Sequence, residues 1–86
     1  MASGTIRYWA AAKDAAGRES ESYEAETLAE ALEALRSRYF ANDRLLKVLD
    51  RSSFLVDEYP VGKRAHGEVV LKEGGTVEVL PPFAGG

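Results

Sequence analysis

The stretch TLAEALEALRSRYF, residues 27–40, constrains the architecture more than any other part of the chain. Thr27 is followed three residues later by Glu30, the spacing of a capping box, in which each side chain satisfies an orphan amide of a helix's first turn. Leu28, Ala31, Leu32, Leu35 and Tyr39 then fall on one helical face. Glu30, Glu33 and Ser37 fall on the other, a solvated face that implies no general acid. A helix with one apolar stripe has to bury it against another layer, so the flanking segments decide the fold.

Those segments read mainly as strands. TIRYWA alternates at period two, with Ile6, Tyr8 and Ala10 on one side and Thr5, Arg7 and Trp9 on the other. AAKDAAGR is expected to be a connection ending at Gly17. ESESYEA is a polar strand suited to a sheet edge with one wet face. After the helix, NDRLLKVLD opens on cap-type residues and offers Leu45, Leu46, Val48 and Leu49, a short second helix at the edge of the core. SSFLVD is a strand closed by an EYPVG turn, EVVL a short strand, and KEGG a tight turn. TVEVL is the last strand, alternating Val77 and Val79 against Thr76, Glu78 and Leu80. Pro81 and Pro82 end it, because neither can donate to a ladder. Strands around one main helix indicate an α+β domain, and this order suits a β-grasp, a mixed sheet curled around its helix. The expected division is a domain over 1–80 and an extended, flexible tail over 81–86.

Composition excludes several functions. At 86 residues the chain makes one small domain, burying roughly 60% of its unfolded surface and leaving little room for an internal catalytic pocket. Hydrophobic residues at 45% and charged ones at 29% argue against disorder. There is no cysteine, which removes disulfides, thiolate metal sites and cysteine nucleophiles. The one histidine, His66, is expected to be a loop residue, and no metal site is expected. A net charge of −3 gives no basic surplus for nucleic acid. No apolar run approaches the ~18 residues of a membrane span. MASGTIRYW lacks the layout of a signal peptide, so the expected compartment is the cytoplasm.

The ending LPPFAGG remains to be explained. Two terminal glycines arise by chance in roughly one chain in two hundred at a background of about 7% each, so Gly85 and Gly86 alone favour an inert tail. Pro81 and Pro82 change that balance. They stiffen the exit of the last strand, and six residues can then reach ~20 Å when extended. A tip without side chains can thread a channel that any Cβ would block, and it leaves the Gly86 carboxylate unhindered. That carboxylate is ionised at neutral pH, with a reference pKa of roughly 3.5, and is a poor electrophile until a partner enzyme activates it.

With these features the chain resembles the MoaD/ThiS family of ubiquitin-like sulfur carriers. IRYWAAAKDAAG is similar to the family's first strand and loop. LKEGGTVEVLPPFAGG is similar to its ending, commonly L-x-x-G-D-x-V-x-x-x-P-P-x-x-G-G. Gly75 stands where the family often has aspartate, and the EYPVGKRAHGEVV connection is longer than in compact members. The Pro-Pro pair is closer to small subunits of molybdopterin synthase than to thiazole-pathway carriers.

The resemblance implies a mechanism. A MoeB/ThiF-type adenylating enzyme would use ATP and magnesium to couple AMP to Gly86, and sulfur from a persulfide would displace AMP to leave a thiocarboxylate. A molybdopterin synthase large subunit would accept that sulfur. This chain would be carrier and subunit, with no cofactor and no active site of its own. Gly86 and Gly85 carry the chemistry in this reading. Trp9, Leu80, Pro82, Phe83 and Ala84 meet partners, Trp9 and Leu80 as an exposed apolar patch where first and last strands run side by side. Alternatives are the same carrier chemistry with a cysteine-synthase-like or thiazole-synthase-like acceptor, or one making sulfur-containing secondary metabolites. A ubiquitin-like modifier joined to lysines through Gly86, and an interaction domain with an inert tail, also stand.

Overall fold

The two chain-terminal strands run side by side and parallel at the centre of a five-stranded sheet. The computed structural model describes residues 1–82. Its elements are β1 (Ala2–Tyr8), α1 (Ala10–Ala16), β2 (Ser20–Ala25), α2 (Leu28–Arg38), α3 (Asp43–Arg51), β3 (Ser53–Val56), β4 (Tyr59–Pro60) and β5 (Thr76–Leu80), with a 3-10 turn at His66–Glu68. The sheet order is β2-β1-β5-β3-β4, antiparallel except for the β1–β5 pair. This is an α+β ubiquitin-like β-grasp.

Helix α2 starts where its local chemistry dictates. Thr27 is its N-cap, the Thr27 side chain accepts from the Glu30 amide at 3.2 Å, and Glu30 accepts back from the Thr27 amide at 3.3 Å. Such a cap contributes about 1 kcal/mol. Leu28, Ala31, Leu32 and Leu35 are buried, and Tyr39 packs at the margin. They meet Ile6, Tyr8, Phe54, Val56, Val77 and Val79, the alternate side chains of β1, β3 and β5, while Leu45 and Leu49 of α3 close one end. Full burial of each such aliphatic side chain stabilises by roughly 1.5–3 kcal/mol. Gly4 is required where β1 passes beneath Tyr23, because a Cβ there would collide with the Tyr23 ring and the Gly75 carbonyl.

Four segments differ from the sequence expectation. Residues 10–16 form helix α1 instead of a connection, and Ala10 is exposed at φ 47°, so it does not face the core with Ile6 and Tyr8. An alanine-rich run has high helix propensity, and Gly17 caps it in the left-handed conformation at φ 76°, its amide donating to the Lys13 carbonyl at 2.9 Å. EYPVG is a hairpin rather than a plain turn, since Tyr59 and Pro60 pair with Val56 and Leu55. EVVL is not a sheet strand. Val69 and Leu71 are buried, but their backbones bond to Leu28 and Glu26 at the start of α2, leaving Val70 in an isolated bridge to Thr27. In β2, the edge strand, Glu21 turns inward, so its polarity does not mark a wet face throughout.

Candidate functional site

The tail leaves β5 at Leu80, which lies opposite Ser53 of β3. Leu80 and Pro81 are half-buried and Pro82 is exposed. Phe83, Ala84, Gly85 and Gly86 lie outside the described residues. Among the described residues, the sheet face opposite α2 is half-buried to exposed around this exit. Strand alternation puts Glu78 and Leu80 of β5, Arg7 of β1 and Leu55 of β3 there.

Trp9 sits one residue beyond β1, at the N-cap of α1, and its amide donates to the Val79 carbonyl at 3.2 Å, extending the parallel ladder. The last registered pair is Tyr8 with Val79, so the next step sets Trp9 level with Leu80. Trp9 is 42% exposed. Its ring is fixed by charge on two sides: the indole Nε1 donates to Glu78 Oε1 at 3.0 Å, and the Arg7 guanidinium carbon lies 5.1 Å from the ring centroid. Arg7 and Glu78 are register partners across β1 and β5. The surface is therefore an amphipathic plate, apolar in the middle with one cation and one anion as frame. Sequence reasoning named Trp9 and Leu80 and missed Arg7 and Glu78. Strand parity already set them on this face, because Arg7 is two residues before Trp9 and Glu78 two before Leu80, but it did not show that both reach the indole.

A second polar cluster lies on the core side. The Glu21 side chain is only 4% exposed. Its carboxylate accepts from the Tyr8 and Tyr39 hydroxyls, both at 2.6 Å, and is paired with Arg38. Burial pushes the Glu21 carboxyl upward, but the bonds from Tyr39, Tyr8 and Arg38 outweigh it and hold the group below its ordinary value. Burial raises the Tyr8 hydroxyl strongly, and the Glu21 carboxylate raises it further. Every donor in the cluster points at the carboxylate, so it clasps β1, β2 and the end of α2 together and presents nothing to a substrate.

His66 packs edge-on to Phe54 with ring centroids 5.4 Å apart, a packing role in its 3-10 turn. Among the described residues no group of three or more His, Asp or Glu could hold a metal ion, and no helix is long and apolar enough to cross a membrane. The candidate site is the exit itself, where central strand β5 runs into Pro81 and Pro82 beside a framed aromatic plate.

A mixed five-stranded sheet with the first and last strands parallel at its centre, packed on one main helix, defines the ubiquitin-like β-grasp class of folds. The chain belongs to the ThiS family, whose model matches residues 6–86. Among solved structures it is similar to small archaeal modifier protein 1 from Methanosarcina acetivorans, with 22% identity, a TM-score of 0.82, and coverage of 100% of this chain and 98% of that one. It is also similar to a putative molybdopterin converting factor subunit 1 from Pyrococcus furiosus, at 18% identity and TM-score 0.75, covering 96% of this chain and 100% of that one. A third is the complex of subunits 1 and 2 of molybdopterin-converting factor from Helicobacter pylori, at 20% identity and TM-score 0.68, covering 98% and 99%. A comparison with curated proteins finds no match.

Proposed function

We propose that this protein is a sulfur carrier that works through the Gly86 carboxylate and serves molybdopterin biosynthesis as the small subunit of the synthase. Residues 1–80 are the body that partners recognise, and 81–86 are the tail that enters their active sites. The observation that carries the reading is that the family match runs through the C-terminal residues of a chain that leaves the central strand on Pro81 and Pro82.

The steps follow from carboxylate chemistry. A partner adenylating enzyme joins the Gly86 carboxylate to the α-phosphate of ATP with magnesium, releasing pyrophosphate. The terminal sulfur of a persulfide displaces AMP from the acyl-adenylate, and a thiol then cleaves the S–S bond to leave the thiocarboxylate. The Trp9–Leu80 plate, framed by Arg7 and Glu78, fits the docking of that enzyme, since an exposed aromatic held by polar neighbours keeps its orientation. The acceptor is a synthase large subunit with a basic pocket for a phosphorylated precursor. The anionic tail gains from the same charges, and a carrier of net charge −3 is steered toward them.

Reconstitution tests this. Thiocarboxylated protein, large subunit and precursor should yield the dithiolene product. If the thiocarboxylate survives that mixture but is consumed by a cysteine-synthase-like or thiazole-synthase-like enzyme, the acceptor is that one. A second reading is favoured by the likeness to small archaeal modifier protein 1: the same activated Gly86 joins a lysine amine. Branched peptides carrying the PPFAGG tail on a lysine would support it.

A further inference from the structure

We infer that the edge of β2, with the groove between it and α2, is a docking site for an extended peptide segment of a partner protein. That segment alternates apolar side chains and carries lysine or arginine at its end. The site is distinct from the tail exit, which lies on β5.

The backbone supplies the first half of the argument. β2 is an outermost strand of the sheet. The Tyr8 amide donates to the Glu19 carbonyl at 2.8 Å, which makes 8 and 19 a hydrogen-bonded pair. By antiparallel alternation, 21, 23 and 25 also direct their polar groups to β1. Ser20, Ser22 and Glu24 therefore aim their amides and carbonyls outward, where an added strand would pair with them.

Side chains supply the second half. Beside this edge runs a groove of about 220 Å³ between β2 and α2, with a floor of Ile6, Tyr23, Ala31, Ala34 and Leu35. Alternate side chains of a docked strand would enter it. An adjoining depression shares Glu24 and Ala34 with the groove and adds Glu30 and Glu33. Arg38, at the groove's other end, is already paired with Glu21, and Glu30 is held in the capping box of α2, so the uncompensated charge is that of Glu24 and Glu33 and its complement is basic. The same charge argues against a second copy of this chain, whose Glu24 and Glu33 would meet their like.

The test uses the isotope-labelled full chain and a short synthetic peptide alternating valine and threonine between lysine ends. Amide resonances of Ser20, Ser22, Glu24 and Ala34 should move on titration, and binding should weaken with salt. The same peptide with glutamate ends should bind about tenfold more weakly, as expected when a few rim contacts turn from attractive to repulsive. Ala34→Arg, at an exposed helical position, should weaken lysine-peptide binding similarly while the core resonances stay in place. Ser22→Pro removes an outward amide without touching the β1 ladder and should abolish the edge pairing. Shifts confined to residues around Trp9, equal affinity for the two peptides, or unchanged binding by Ala34→Arg would overturn the inference. So would movement of the edge amides with protein concentration alone, which would assign the edge to a second copy.

Discussion

Trp9 and Glu78 are joined by a 3.0 Å hydrogen bond from the indole Nε1 to Oε1 across the two central parallel strands. The bond fixes the plane of a large aromatic ring that the fold does not need for its core. It lies level with the point where the C-terminal segment departs, which sets an exposed aromatic beside the exit of β5.

Trp9→Lys should therefore separate docking from stability. Lysine retains an attraction to Glu78 and loses the ring and its contact with Arg7, a contact of about 0.5–1 kcal/mol at an exposed site. The expected stability loss is about 1 kcal/mol by denaturant titration. The expected loss in affinity for the adenylating enzyme is at least about tenfold, the size of a central aromatic anchor. Global unfolding by this substitution would move Trp9 into the core.

The Glu21 clasp makes stability depend on pH in a defined direction. Its folded carboxyl is held below the ordinary 4.5, so the unfolded chain binds the proton more readily. The contribution is fully present above that ordinary value and is lost as pH falls through the lower folded one. At the alkaline end Tyr8 and Tyr39 are held above their ordinary 10.0, so stability falls once the unfolded chain begins to ionise there. Glu21→Gln should cost about 2 kcal/mol at neutral pH, the scale of a lost charge-assisted bond, and flatten the acid limb. An unchanged acid limb in urea titrations across pH would show that another carboxylate governs it.

The hairpin turn offers a stabilising change. Asp57 and Glu58 both have positive φ, 51° and 72°. The left-handed conformation costs a non-glycine residue roughly 1–2 kcal/mol, while glycine gives back roughly 0.5–1 kcal/mol in chain entropy. Glu58→Gly should then raise stability by about 0.5–1 kcal/mol, read as a higher melting temperature. Asp57→Gly should destabilise instead, because Asp57 Oδ1 accepts from the Thr76 amide at 2.9 Å.

Gly86→Ala, or one added C-terminal residue, should leave the unfolding midpoint unchanged and suppress sulfur transfer, since both alter the end on which the proposed chemistry depends and leave every described core residue as it is. Full transfer activity in a C-terminally extended protein would remove the tail from the mechanism.

What could be read from the sequence follows from how local each signal is. Helix α2 was legible because Thr27, Glu30 and the spacing of Leu28, Ala31, Leu32 and Leu35 are all short-range. β5 was legible because Val77 and Val79 alternate cleanly. Helix α1 was missed because Trp9, its N-cap, makes no side-chain capping bond, although the alanines and Gly17 were usable signals. The run around Val69 looked like a strand because its apolar residues are buried, yet they are bonded to the start of α2 and not to the sheet, a long-range fact. At the site, Trp9 and Leu80 could be set on one face by parity. That Arg7 and Glu78 converge on the indole required the β1–β5 register, which no local pattern encodes.

The central claim concerns one atom at the C-terminus. Intact-mass and C-terminal peptide analysis should be made after incubating the protein with ATP, magnesium, a ThiF-type adenylating enzyme and a persulfide donor. Exchange of one oxygen for sulfur on Gly86, dependent on ATP and absent in Gly86→Ala, is the expected result. An unmodified carboxylate under conditions in which the same enzyme thiolates another ThiS-family carrier would contradict the account.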